Sequence, residues 1–245
     1  MTTKYKKMQT LISVKDLEKI YQDDGVETRA LRGVSFDIKK GEFVAIMGPS
    51  GSGKSTLLHI LGFLDSPSKG QYLFENKSFE KFTDNDLARL RNKKIGFIFQ
   101  AFNLLPKTSV LDNVKLPLFY SDIEESKWDD MARKAIESVG LSHRIDHEAQ
   151  QLSIGEKQRV SIARALVGEP EIIFADEPTG NLDSKSGGLV MDIIKRLNYK
   201  GKTIILITHE TYTAEYADRI IRIKDGLLES DEKVKNSRQA GEFKK

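Results

Sequence analysis

The chain of 245 residues contains no cysteine. Disulfides, thiolate zinc sites and thiol catalysis are excluded at once. No apolar run approaches the roughly 18 residues of a membrane span, and the opening MTTKYKKMQT is followed by no hydrophobic segment of the kind a secretory leader needs. The economical expectation is a cytoplasmic chain. No internal repeat and no sustained heptad pattern is visible. An excess of one charge is also missing: 39 Lys and Arg stand against 36 Asp and Glu, a net of +3. That small surplus comes from the ends. Residues 1–10 carry three lysines and no acid, and residues 231–245 carry five bases and three acids, so the body between them is slightly acidic. Basic ends of this sort suit an anionic surface or plain solvation. A basic body is absent, and no nucleic-acid partner is expected.

What is present is a hydrophobic fraction of 39%, enough for one large domain or two small lobes. LISVKDLEKIY and ALRGVSFDI alternate loosely and read as strands. After Gly41, FVAIM is a short apolar run typical of a buried strand. STLLHILGFL reads as a helix, KGQYLFENKSFE as a hairpin, residues 85–92 as a helix and KIGFIFQ as a strand. Residues 101–167 change character: a helix is expected near Val110–Val114. A second runs through WDDMARKAIESVG with Ser126 and Asp129 as a capping box, and a third begins near Gly155. From Glu171 the α/β alternation returns, with EIIFAD, SGGLVMDIIKRLN, TIILIT and a closing hairpin at RIIRIKDG. The chain therefore divides into a catalytic α/β lobe (11–100 and 168–230), a helical insertion (101–167) and a polar, flexible tail (231–245).

The sequence Gly48-Pro49-Ser50-Gly51-Ser52-Gly53-Lys54-Ser55 fits GxxxxGK[ST] between an apolar strand and a helix. Glycines let backbone amides wrap a phosphate, and a helix start favours the anion. Gly48, Ser50, Gly51, Gly53, Lys54, Ser55 and Thr56 are the expected nucleotide-binding set. Lys54 reaches the β- and γ-phosphates, and the Ser55 hydroxyl reaches a magnesium ion. Asp176 and Glu177 follow an apolar run, where parallel strands deliver residues to the ligand crevice. Asp176 is expected at the metal, and Glu177 at the attacking water. His209 closes another apolar strand and can hydrogen-bond near the γ-phosphate. Gln100 closes a third, placed to touch metal or water just before the insertion. His59 and Trp128 read as structural, while Phe97, Phe99 and Phe102 read as core or as the wall of a partner groove.

These pieces in this order resemble the ATP-binding-cassette ATPases. Leu152-Ser153-Ile154-Gly155-Glu156-Lys157-Gln158-Arg159 is similar to the cassette signature LSGGQ or LSGGE. Asn181–Asp183 is similar to the D-loop and Tyr21 to the aromatic that stacks on adenine. GFIFQAFNLLP, DNVKLPL and ADEPTGNLDS resemble the macrolide-export, lipoprotein-release and antimicrobial-peptide-export branch. The resemblance implies a P-loop ATPase core with an antiparallel β subdomain and a mostly helical insertion. It implies ATP hydrolysis with Mg2+, with Glu177, His209 and Gln100 as the catalytic set and Ser55, Gln100 and Asp176 around the metal.

It further implies that two copies pair head to tail, so that Ser153, Gly155 and Glu156 of one face the nucleotide of the other and Asp183 couples the sites. The remaining implied partner is a membrane permease, which would hold the cassette at the cytoplasmic face of the membrane for export or mechanical transmission. A soluble homodimeric regulatory ATPase and an uptake-type transporter ATPase stay open as alternatives. Two positions depart from the family pattern. Ile154 replaces the first signature glycine, and a β-branched residue there is expected to weaken ATP-driven pairing if the loop needs an open backbone with φ > 0 or a close approach at that point. Ala149 stands where relatives often carry proline, which is expected to loosen the lead into the signature.

Overall fold

Two opposite faces of one parallel sheet organise the structure, a computed structural model that describes residues 9–23 and 25–243. Strands β3 (Phe43–Met47), β6 (Ile95–Ile98), β7 (Ile172–Asp176), β8 (Thr203–Thr208), β9 (Arg219–Lys224) and β10 (Leu227–Lys233) lie in the order β10-β9-β3-β8-β7-β6. All neighbours are parallel except the β9–β10 hairpin. Successive residues of a strand point to opposite faces. Phe43, Ala45, Ile173, Ala175, Ile204 and Leu206 therefore enter one core, and Val44, Ile46, Ile172, Phe174, Ile205 and Ile207 enter another. That double burial is why these strands read as unbroken apolar runs.

The second core is closed by an antiparallel sheet. The long strands β1 (Thr10–Asp23) and β2 (Val26–Lys39) form a hairpin, and β4 (Lys69–Phe74) and β5 (Lys77–Ser78) extend it in the order β2-β1-β4-β5. Helix α1 (Lys54–Leu61) lies between the two sheets and buries Leu57, Leu58, Ile60 and Leu61. Helix α2 (Asp84–Lys94) follows with a complete Thr83–Asp86 capping box.

The first core is closed by α3 (Val110–Lys115), α4 (Trp128–Ser138), α5 (Ile154–Leu166), α6 (Ser184–Tyr199) and the short α7 (Thr211–Ala214). The insertion is helical as expected, but α4 is not capped by Ser126. A 3-10 turn at Glu125–Lys127 runs straight into it. Lys127 is the cap residue in helical conformation, and no side chain bonds to the helix start. A box needs an extended residue at the cap, and Ser126 lies inside the preceding turn.

The lead into the signature is held tightly, against the expectation drawn from Ala149. Its amide donates to Thr108 O at 3.1 Å, a bond proline could not make, and Glu148 N donates to Gln151 Oε1 at 2.9 Å. The end of the chain also differs from the solvated tail expected from its composition. β10 carries it to Lys233, and Val234 N then donates to Asp218 O. Arg238 pairs with Glu215 at 2.7 Å, and Gly241 N donates to Asp192 Oδ1 at 2.7 Å. Phe243 meets Tyr212 edge-on at 5.3 Å and lies over Gly187 and Gly188, whose missing side chains leave room for the ring. The lysines of residues 1–8, Lys244 and Lys245 lie outside the described residues. Phe243→Ala should remove about 1–2 kcal/mol of stability and lower the melting temperature by about 2–8 °C. An unchanged melt would show that the ring does not dock on α6 and α7.

Candidate functional site

Strand order brings the predicted residues together. The phosphate loop leaves β3, His209 leaves β8, Asp176 ends β7, and Gln100 follows β6 after Phe99. These strands are neighbours in space, so residues separated by more than 150 positions in sequence share one carboxyl edge. The cavity there has a volume of about 600 Å3. It is walled by Ser50, Gly51, Gly53, Lys54, Ser55, Thr56, Gln100, Asp176, Glu177 and His209.

The loop's glycines are required by close approach. A Cβ on Gly48 would lie 2.0 Å from Ile223 O, and one on Gly53 would lie 2.3 Å from Ala30 O at a φ of 97°. Lys54 is buried and donates from Nζ to Pro49 O at 2.7 Å. Burial lowers its pKa, and the charges of Glu177 and Asp176 act against that shift. Burial and the neighbouring Glu177 raise the pKa of Asp176, while His59 and Lys54 oppose the rise.

Glu177 sits at φ 44°, a left-handed conformation that is uncommon for a non-glycine residue and strained. Its amide donates to Ile207 O at 2.9 Å, which fixes the turn to β8. Its Oε1 lies 2.7 Å from His209 Nδ1. An ionised carboxylate only accepts, so Nδ1 carries the proton of that pair. Oε2 of Glu177 and Oγ of Ser52 are buried with no hydrogen-bond partner among the described residues. Orphaned buried oxygens beside a glycine cradle and a buried ammonium fit a water and a phosphate chain. No cluster of three His, Asp or Glu able to hold a metal occurs among the described residues. Ser55, Gln100 and Asp176 are oxygen donors in the cavity wall that could hold a magnesium ion together with phosphate oxygens, since this ion keeps few protein ligands.

Tyr21 is not among the residues that wall the cavity and reaches it through Thr56. Its hydroxyl donates to Asp65 Oδ2 at 2.8 Å and lies against Thr56. Burial and Asp65 raise its pKa. Thr28, Arg29 and Ala30 of β2 wall the cavity too, which the sequence did not reveal because they carry no motif. Further links were equally hidden. Buried Gln158 Nε2 donates to Pro178 O at 2.9 Å, tying α5 to the turn after Glu177. Thr179 Oγ1 donates to Glu210 Oε2 at 2.9 Å, tying that turn to the residue after His209.

The signature residues do not line this cavity. Ser153 is the N-cap of α5, accepting from Glu156 N, and Glu156 returns a bond to Ser153 N at 2.9 Å. The Ile154 backbone lies in the right-handed helix and its side chain is 53% exposed, so the expected backbone strain does not arise. Asp183 caps α6, accepting from Lys185 N and Ser186 N at 2.9 Å each.

Burial alone would raise the pKa of Glu156. The Ser153 amide and hydroxyl and the Arg144 guanidinium reverse that and hold it at about 2. A folded value below the unfolded one gives stabilisation that is present above about pH 4.5 and is lost as pH falls toward 2. Glu156→Gln should therefore cost about 1 kcal/mol at neutral pH, with the gap to the parent narrowing as pH falls below about 4.5. Urea melts at several pH values check this, and a gap that stays constant contradicts it.

Comparison with known proteins agrees with this geometry. A family model described as ABC transporter matches residues 31–180. The macrolide export ATP-binding/permease protein MacB of Bdellovibrio bacteriovorus is 48% identical over 224 residues, 91% of this chain and 34% of that protein. An uncharacterized ABC transporter ATP-binding protein of Thermotoga maritima is 46% identical over 226 residues, 92% of this chain and 97% of its own length. Among solved structures, the dimeric bacterial ABC transporter cassette MJ0796 matches with a TM-score of 0.84 at 43% identity, covering 92% of this chain and 99% of that one. The chain thus spans about a third of the macrolide-export relatives and nearly all of the stand-alone one. With phosphate loop, acidic strand end, histidine and signature each in place, the chain belongs to the ABC transporter family as an ATP-binding and ATP-hydrolysing cassette.

Proposed function

We propose that the cassette works as a head-to-tail pair enclosing two ATP molecules and drives a conformational change in a membrane permease at the cytoplasmic face. The observation that carries the pairing is the separation just described. The phosphate loop, Asp176, Glu177 and His209 share one cavity, whereas Ser153 and Gly155 lie off it at an exposed helix start. A signature that cannot serve its own cavity is free to serve another copy's. A solved structure of the related cassette MJ0796 is dimeric and bound to ADP and Pi, which supports a pairing of copies here.

Within each site, Lys54 would pair with the β- and γ-phosphates and the loop amides would hold the chain. Glu177 would orient the attacking water and take its proton, with the unpartnered Oε2 as the accepting oxygen. His209 would hold Glu177 through Nδ1, leaving the other ring nitrogen for the γ-phosphate. Ser55, Gln100 and Asp176 would hold magnesium, which supplies charge neutralisation when bound. Ser153 and Gly155 of the second copy would close over the γ-phosphate with a hydroxyl, an amide and a helix start. Hydrolysis separates that phosphate and removes the contact that joins the copies.

The surface offered to a permease is a groove of about 480 Å3 between β6, α2 and α5, with Phe97, Phe99, Pro117 and Tyr120 in its wall. Tyr120 and Phe119 beside it are 85% and 63% exposed. Exposed aromatics around an apolar groove suit a helical partner segment. The groove adjoins Gln100, so its occupant can influence the catalytic edge. The macrolide-export relatives are ATP-binding/permease proteins, and export or mechanical transmission across a membrane is the reading this likeness favours.

Glu177→Gln should bind ATP and turn over little of it. Light scattering should then report a doubled mass with ATP and the monomer mass with ADP. A monomer with ATP bound would overturn the pairing.

A further inference from the structure

Gly155 is the second residue of α5 and has no left-handed φ, so backbone freedom does not explain the glycine. Space does. A Cβ at Gly155 would lie 2.6 Å from Ser186 Oγ and 2.9 Å from Ser186 Cβ. The hydroxyl can rotate away, but Ser186 Cβ is fixed to the first turn of α6. That turn is itself held. Ser186 N donates to Asp183 Oδ1 at 2.9 Å, and the Ser186 amide and hydroxyl together keep the Asp183 carboxyl below its ordinary pKa. On the next residues of α6, a Cβ at Gly187 would lie 3.0 Å from the Phe243 ring and one at Gly188 would lie 3.2 Å from Phe243 Cβ, so α6 is packed on that side as well.

Ser186 thus touches the start of the signature helix on one side and the D-loop carboxylate on the other. We propose that Ser186 is a positioning residue that sets the spacing between the Ser153–Gly155 helix start and Asp183. Gly155 is glycine because Ser186 of its own chain occupies the space a Cβ would need. The two surfaces offered to the partner's site then move as one piece. This rests on the paired reading above, and the test separates the two.

Four proteins carry Glu177→Gln: the background itself, Gly155→Ala, Ser186→Gly, and both. ATP-driven pairing is followed by light scattering, ATP binding to the monomer by a fluorescent analogue, and folding by thermal melts. Gly155→Ala should weaken pairing about tenfold beside Ser186 and less than about threefold beside Gly at 186, a coupling typical of residues in contact, with monomer ATP affinity unchanged. The same loss in both backgrounds, or no loss beside Ser186, would overturn the proposal. If the background itself stays monomeric with ATP, the paired reading fails and the melts decide the contact. Alanine favours a helix over glycine, so Gly155→Ala should lower the melting temperature beside Ser186 and not beside Gly at 186. Equal drops in both would overturn it.

Discussion

The cavity at the carboxyl edge depends on β8 lying between β3 and β7. The hydrogen bonds of β8 align Met47 with Thr208 and Asp176 with Ile207. The phosphate loop, His209 and the acidic pair consequently leave the sheet side by side. The left-handed turn at Glu177 is affordable because its amide is bonded to Ile207 O of that central strand. Moving β8 would part Glu177 from His209, since each hangs on one of two adjacent strands. Burial on both faces of the sheet is what prevents such movement.

The helical insertion is held together internally by a small number of polar anchors. Asn113, fully buried, accepts from Leu105 N and donates to three carbonyls between Leu105 and Ser109. Arg164 near the end of α5 donates to the carbonyls of Phe102 and Asn103, both left-handed, just after Gln100. Its charge is desolvated, which lowers its pKa, and the two carbonyls take the place of a carboxylate partner. The segment after Gln100 is therefore carried by the insertion, while Gly180 and Asn181 of the catalytic lobe lie against Gln100 itself. Helix α5 thus walls the groove and holds the segment after Gln100 near one end, while its other end presents Ser153.

The sequence was most readable where chemistry constrains residue type. Gly48 through Ser55, Asp176, Glu177 and His209 could be placed because phosphate binding and strand ends demand them, and the apolar runs marked the central strands. It was least readable where function depends on packing between distant segments. Gln158, Asn113, Ser186 and Arg164 are ordinary polar residues in sequence, and only the fold supplies their partners. The Ser126 box failed because a local pattern cannot tell whether the preceding turn is already helical. The left-handed backbone considered at Ile154 does not occur, because that residue opens α5 in helical conformation. The end of the chain looked solvated by composition, yet one phenylalanine finds two glycines on α6.

The central claim is that a working site takes its phosphate loop from one copy and its signature from another. Mixing two inactive variants tests it most directly. Lys54→Ala disables the phosphate loop, and Ser153→Arg disables the signature. Each alone should hydrolyse almost no ATP. In a mixture, a pair with one of each contains one intact composite site, so hydrolysis should return and peak near equal proportions. A mixture as inactive as its components at every ratio would contradict the shared site.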